Sequence, residues 1–200
     1  MEHMEDKRLG YGGHGDGRVF FGKPISISMC SIGFALVLHV LHVSLLFAQA
    51  PHVAPANAPT SGVLAAASEP GPRLTVSGVV VSENGAPVRG ASIYAFQTDA
   101  EGYYGVKPAS DNRNPRLKIF LRSGERGDWS FDTIRPGSYP SSRVPGHIHF
   151  EVNAPGFADK VFEIVFEGDP FVTPEMRTNP AFSVRPVQNG RVTDRIVLRR

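Results

Sequence analysis

With 200 residues, 21 basic and 19 acidic side chains and a formal net charge of +2, the chain has room for one domain of ordinary size. Its charges are scattered, which excludes nucleic acid as an expected partner, because phosphate binding needs a concentrated Lys/Arg field. The single cysteine, Cys30, excludes an internal disulfide and, set in an apolar run, reads as a small hydrophobe.

Residues 1–24 are polar and glycine-rich and read as disordered. From Ile25 to Ala50 there is no Asp, Glu, Lys or Arg, while Lys7, Arg8, Arg18 and Lys23 precede the run. A basic region followed by an uncharged apolar stretch is the pattern of a signal peptide or membrane anchor, so an exported or membrane-anchored protein is expected. Ala48-Gln49-Ala50 has the small-x-small form of a cleavage site, whereas Pro51 behind it disfavours cleavage. Cleaved signal and anchor, with membrane association through residues 25–50, both stay open. Residues 51–72, rich in Pro, Ala and Ser and without periodicity, read as a linker.

From residue 73 to 200 short β runs alternate with turn signals, which predicts an all-β sandwich. Leu74 to Val80 is the first run, and Glu83-Asn84-Gly85-Ala86 supplies an Asn-Gly turn into a return strand from Val88 to Phe96. Further strands are expected at Leu117–Arg122, Trp129–Ile134, His147–Asn153, Val161–Glu167, Phe182–Arg185 and Val192–Leu198. Tyr94, Phe96, Trp129 and Phe131 read as core. The polar stretch from Gln97 to Arg116 is too long for a hairpin turn and reads as a functional loop.

The most informative segment is Gly146-His147-Ile148-His149-Phe150-Glu151-Val152. As a strand it places His147 and His149 on one face and Ile148, Phe150 and Val152 on the other, so one face enters a core while the other offers two imidazoles to one centre. Tyr139, in the turn Arg135-Pro136-Gly137-Ser138-Tyr139-Pro140, adds a phenol. Two nitrogens with phenolate oxygen suit a highly charged iron, because a phenol ionises at neutral pH only beside a strong Lewis acid. Glu151 shares the histidine face, which leaves a cupin-like Fe(II) or Mn site as an alternative.

The ordered set Gly102-Tyr103-Tyr104, then Pro136-Gly137-Ser138-Tyr139-Pro140, then His147-Ile148-His149-Phe150 resembles the intradiol ring-cleavage dioxygenases, the family of protocatechuate 3,4-dioxygenase and catechol 1,2-dioxygenase. The resemblance runs from about Leu74 to Pro170. It implies a β-sandwich holding non-haem Fe(III) through Tyr104, Tyr139, His147 and His149, with Tyr103 as the fallback for Tyr104. It further implies a catecholic substrate and O2, a muconate-type diacid as product, and Tyr139 as the base that takes a substrate proton. Two departures accompany it. The family's arginine three residues before the first histidine falls on Val144, with Arg143 one step earlier, and the family's glutamine after the histidine strand falls on Glu163. Substrate specificity is expected between Lys107 and Pro115, and homo-oligomerisation stays open. The segment Ser77 to Ala91 also resembles the start of a transthyretin-like or carboxypeptidase-regulatory-like sandwich, which keeps a non-enzymatic binding module as the rival reading.

Overall fold

The computed structural model describes residues 52–107 and 111–200. The uncharged run at 25–50 and the polar stretch at 1–24 lie outside the described residues. Within them the architecture is two stacked sheets, as the alternating runs predict. The first sheet joins β1 (Ser61–Val63), β5 (Asp128–Ile134), β2 (Arg73–Ser82) and β9 (Arg191–Leu198) in that order. The second joins β4 (Leu117–Arg122), β3 (Ser92–Gln97), β6 (His147–Asn153), β7 (Lys160–Phe166) and β8 (Phe182–Arg185). Pairing is antiparallel except for β1 with β5, β2 with β9 and β7 with β8, which run parallel. The one helical element among the described residues is a 3-10 turn at Glu175–Arg177, and no helix there is long and apolar enough to cross a membrane.

The core between the sheets takes every second residue of its strands. Val76, Trp129, Phe131, Val192 and Ile196 from the first sheet meet Ile93, Ile148, Phe150, Phe162 and Ile164 from the second. Phe150 stacks on Phe162 and lies against Trp129 and Phe131, so truncating it to Ala would cost about 3–5 kcal/mol. Because Ile148 and Phe150 point inward, His147 and His149 stand on the outer face of the second sheet.

Three expectations need correction. The stretch read as a linker contributes β1, which runs parallel to β5, and buries Ala54, Leu64 and Ala65. Proline-rich composition concealed packing that depends on single small apolar residues. The Asn-Gly turn forms, with Gly85 at φ +85° and the Ser82 amide donating to the Ala86 carbonyl at 2.9 Å, but the chain does not return as a hairpin. After an isolated bridge from Val81 to Pro87 it crosses to the other sheet, and the strand begins only at Ser92. Both sides of β2 are already taken, by β5 and β9. Ser123 pins the crossover, its hydroxyl donating to the Val88 carbonyl at 2.6 Å while accepting from the Ala91 amide at 2.8 Å. Third, Tyr94 and Phe96 are buried as expected yet do not join the central core. They form a second apolar cluster with Tyr104, Phe120 and Tyr139 on the outer face.

Candidate metal centre

Two loops cover the histidine face. The first runs on from β3, and Asp99 shapes it: its Oδ1 accepts from the amides of Glu101 and Tyr103 at 2.9 and 3.0 Å, and its backbone amide donates to the Tyr103 carbonyl. Such an Asx turn fixes the chain at Tyr104. The second, after β5, carries Tyr139. The two loops touch backbone to backbone, with the Gly137 amide donating to the Asp99 carbonyl at 2.9 Å and the Thr98 hydroxyl to the Gly137 carbonyl at 2.9 Å. Glycine is required on both sides: a Cβ at Gly102 would lie 2.0 Å from the Ser138 carbonyl oxygen, and one at Gly137 would lie 2.4 Å from that of Ala100. Beneath them buried Gln97 donates to the carbonyls of Ile134 and Thr98 and accepts from the Thr133 hydroxyl, tying the ends of β3 and β5 together.

The result is a closed ring of four donor atoms. Tyr104 Oη is 2.5 Å from Tyr139 Oη and 2.6 Å from His149 Nε2; Tyr139 Oη is 2.9 Å from His147 Nε2; the two Nε2 atoms are 3.0 Å apart. All four residues expected as ligands are therefore brought together, and Tyr104 rather than Tyr103 is the one that reaches. Tyr103 is half-buried, with the Lys107 ammonium over its ring. Arg143 is exposed and, among the described residues, makes no hydrogen bond or ion pair with the ring of donors. Glu151 is turned away: His52 Nδ1 lies 3.1 and 3.0 Å from its two oxygens, so it does not complete a cupin-like set. The carboxylate that approaches both histidines is Glu163, whose Oε1 is 3.2 Å from His149 Nδ1.

Counting protons tests whether this cluster suits a cation. His147 Nδ1 faces the Pro145 carbonyl oxygen at 2.7 Å and must donate to it, so its Nε2 carries a lone pair. Placing the proton of His149 on Nδ1 as well, 3.2 Å from Glu163 Oε1, gives both rings the same tautomer. Only the two phenol protons then remain for four close contacts. Whichever way they point, the Nε2–Nε2 contact and one other hold no proton, so lone pairs oppose each other inside a buried pocket. A central cation satisfies all four donors at once. Burial pushes the Tyr104 phenol far above its ordinary range, helped by Tyr139, and pushes Tyr139 up as well, while burial and the neighbouring His147 lower His149 to about 3. Left alone, both phenols keep their protons; ionising them requires a strongly charged metal. Phe96 stacks on His149 with centroids 4.4 Å apart and an interplanar angle of 12°, which holds the ring in plane.

The sequence reading missed Phe96 as a support of the centre, along with Asp99, Gln97 and the paired glycines. Asp99-Ala100-Glu101-Gly102 carries an Asx-turn signal, and a Gln at the inward position of a strand is out of place unless it bridges backbone. The alternation of β3 also assigned Tyr94 and Phe96 to one face, without saying that this was the face of the histidines.

Comparison with known proteins shows what the chain is similar to. A family model described as "Dioxygenase" matches residues 50–187. The chain is 34% identical over 113 residues to the protocatechuate 3,4-dioxygenase beta chain of Burkholderia cepacia, covering 51% of this chain and 48% of that protein. It is 27% identical over 150 residues to hydroxyquinol 1,2-dioxygenase of Rhizobium sp. (strain MTP-10005), covering 67% and 50%. The chain thus spans about half the length of these curated relatives. Among solved structures, the dioxygenase domain of a dioxygenase carbohydrate-binding protein fusion from Streptomyces sp. SirexAA-E superposes with a TM-score of 0.54 at 28% identity, covering 75% of this chain and 94% of that one. Catechol 1,2-dioxygenase from Acinetobacter sp. ADP1 gives a TM-score of 0.56 at 18% identity over 84% of this chain and 69% of that one, a likeness of fold.

Proposed function

Because the chain belongs to the intradiol ring-cleavage dioxygenase family, we propose that it opens a catechol-type ring with O2, using non-haem Fe(III) held by Tyr104, Tyr139, His147 and His149. The observation that carries this reading is the closed ring of two phenol oxygens and two imidazole nitrogens, each 2.5–3.0 Å from the next. Two phenolates against a trivalent ion leave little net charge to bury and favour ferric over ferrous iron. When bound, the iron supplies the Lewis acidity that ionises the phenols and the catechol and draws electron density from the ring.

The chain's own residues do the rest. Tyr104 is only 3% exposed and serves as a fixed anchor, while Tyr139 is half-buried and the more accessible of the two phenols. Tyr139 Oη takes the proton of a catechol hydroxyl, general-base work by a phenolate held close to its target. Arg143, on the loop that leads into His147, is assigned to the negative charge that develops on the substrate. The reaction balances without an external reductant: catechol and O2 combine, the bond between the two hydroxylated carbons breaks, and each new carboxyl group takes one oxygen atom. The relatives named for protocatechuate, catechol and hydroxyquinol support a catecholic substrate class. Export or membrane anchoring through residues 25–50 belongs to the same proposal, and fractionation of expressing cells tests it; full-length protein wholly in the cytosol would reject it.

The chemistry is tested by incubating the protein with catechol, protocatechuate and hydroxyquinol under labelled O2. The expected product is a muconate-type diacid with label in both new carboxyl groups. A yellow semialdehyde, from cleavage beside the hydroxylated pair, would reject the mechanism, and inertness with all three would point to a different catechol or to the binding-module reading.

A further inference from the structure

The two imidazoles of the centre are supported differently. His147 Nδ1 is satisfied by a neutral acceptor, the Pro145 carbonyl. His149 lies directly opposite Glu163 in the antiparallel pairing of β6 with β7, so their side chains leave the sheet on the same face as close neighbours. Glu163 Oε1 approaches Nδ1 of that ring, at 3.2 Å, while Nε2 on the other edge faces Tyr104 and His147. Glu151, the other carboxylate on this face of β6, is held by His52. Phe96, stacked flat on His149, resists tilting of the ring but leaves its tautomer free. The tautomer is set by the partners of both ring nitrogens, and on the Nδ1 edge that partner is Glu163.

We propose that Glu163 is the positioning residue of His149, acting from outside the ring of donors: its carboxylate keeps the proton on Nδ1, presents the Nε2 lone pair to the metal and makes His149 the more strongly donating of the two imidazoles. A carboxylate behind a ligating histidine raises the basicity of that ligand, and here it adds to the two phenolates in favouring the ferric state. This rests on the four-donor iron reading. It differs from a site in which Glu163 itself binds the metal with both histidines, an arrangement their mutual approach within 4.8 Å would also allow.

The test uses the full chain with Glu163→Gln, which keeps an acceptor but removes the charge, and Glu163→Leu, which removes both. In metal-free protein, nitrogen NMR of the imidazoles should find His149 protonated at Nδ1 in wild type and Glu163→Gln, and shifted toward Nε2 in Glu163→Leu. After loading with Fe(III), Glu163→Gln should keep its iron while its ferric-over-ferrous preference falls about tenfold, a potential higher by about 59 mV. Glu163→Leu should bind iron roughly 10–100-fold less tightly. Nε2 protonation in the wild type, or a Glu163→Leu variant with unchanged tautomer, would overturn the pairing whether or not iron binds. Complete loss of iron in Glu163→Gln would make Glu163 a ligand and overturn the positioning role. Expected tautomers in a protein that takes up no iron would refute the iron reading while supporting the pairing.

Discussion

Replacing Tyr104 by Phe isolates one oxygen atom in a buried cluster. The ring is 3% exposed and packs against Phe96 and Tyr139 with centroids 5.9 and 5.7 Å away, contacts that Phe preserves. What disappears is an oxygen 2.5 Å from Tyr139 Oη and 2.6 Å from His149 Nε2, with its proton. The remaining phenol, Tyr139, can donate to His147, which leaves His149 Nε2 as a buried acceptor without a donor. Such an orphan costs about 1–3 kcal/mol. For a domain of this size that lowers the melting temperature of the metal-free protein by roughly 2–12 °C. Tyr103→Phe removes a hydroxyl from a half-buried ring outside the cluster and should stay within about 0.5 kcal/mol of wild type. Thermal melts of the two metal-free variants, followed by iron loading, separate them: Tyr104→Phe should be the less stable and should lose part of its visible absorption, and Tyr103→Phe should match wild type. Equal melting curves, or bleaching by Tyr103→Phe instead, would refute the assignment of Tyr104.

Two further outcomes follow from the same contacts. Burial, with the neighbouring His147, lowers His149 from about 6.5 in the unfolded chain to about 3 in the fold. The unfolded state therefore binds the extra proton first, and the metal-free protein should lose up to about 1.4 kcal/mol per pH unit from this group as pH falls from about 6.5 towards 3, and nothing from it above pH 7. Denaturation midpoints at several pH values should show this slope and a flatter one in His149→Gln; identical slopes would exclude the group. Gly102→Ala combines strain at φ +89° with a Cβ 2.0 Å from the Ser138 carbonyl oxygen, so the two tyrosine loops must separate. It should lose iron and about 1–3 kcal/mol of stability, whereas Gly168→Ala, with φ +84° and open space around it, should cost about 1 kcal/mol and keep its iron; equal iron contents would show that the loop contact does not shape the centre.

The parts legible in the sequence are those written in local periodicity. His147, His149 and the inward Ile148 and Phe150 follow from a period of two, and most strands appear within a few residues of their expected bounds. Tyr104 and Tyr139 were legible only as an ordered set with the histidines, since neither loop has a periodicity of its own. What stayed hidden depends on partners distant in the chain. The Asn-Gly turn is locally correct, yet whether it closes a hairpin depends on β5 and β9 occupying β2. Ser61–Val63 becomes a strand only because β5 offers a free edge. Phe96 reads as core because burial is what its type predicts, and the outer face is buried too once two loops cover it.

The central claim, that these four side chains form a ferric centre, is tested most directly by the visible absorption spectrum of the purified protein measured together with its metal content. About one iron per chain and a red to brown phenolate-to-metal charge-transfer band, which shifts when catechol is added, are the predicted result. A colourless protein holding stoichiometric zinc, or iron without a phenolate band, would contradict the account.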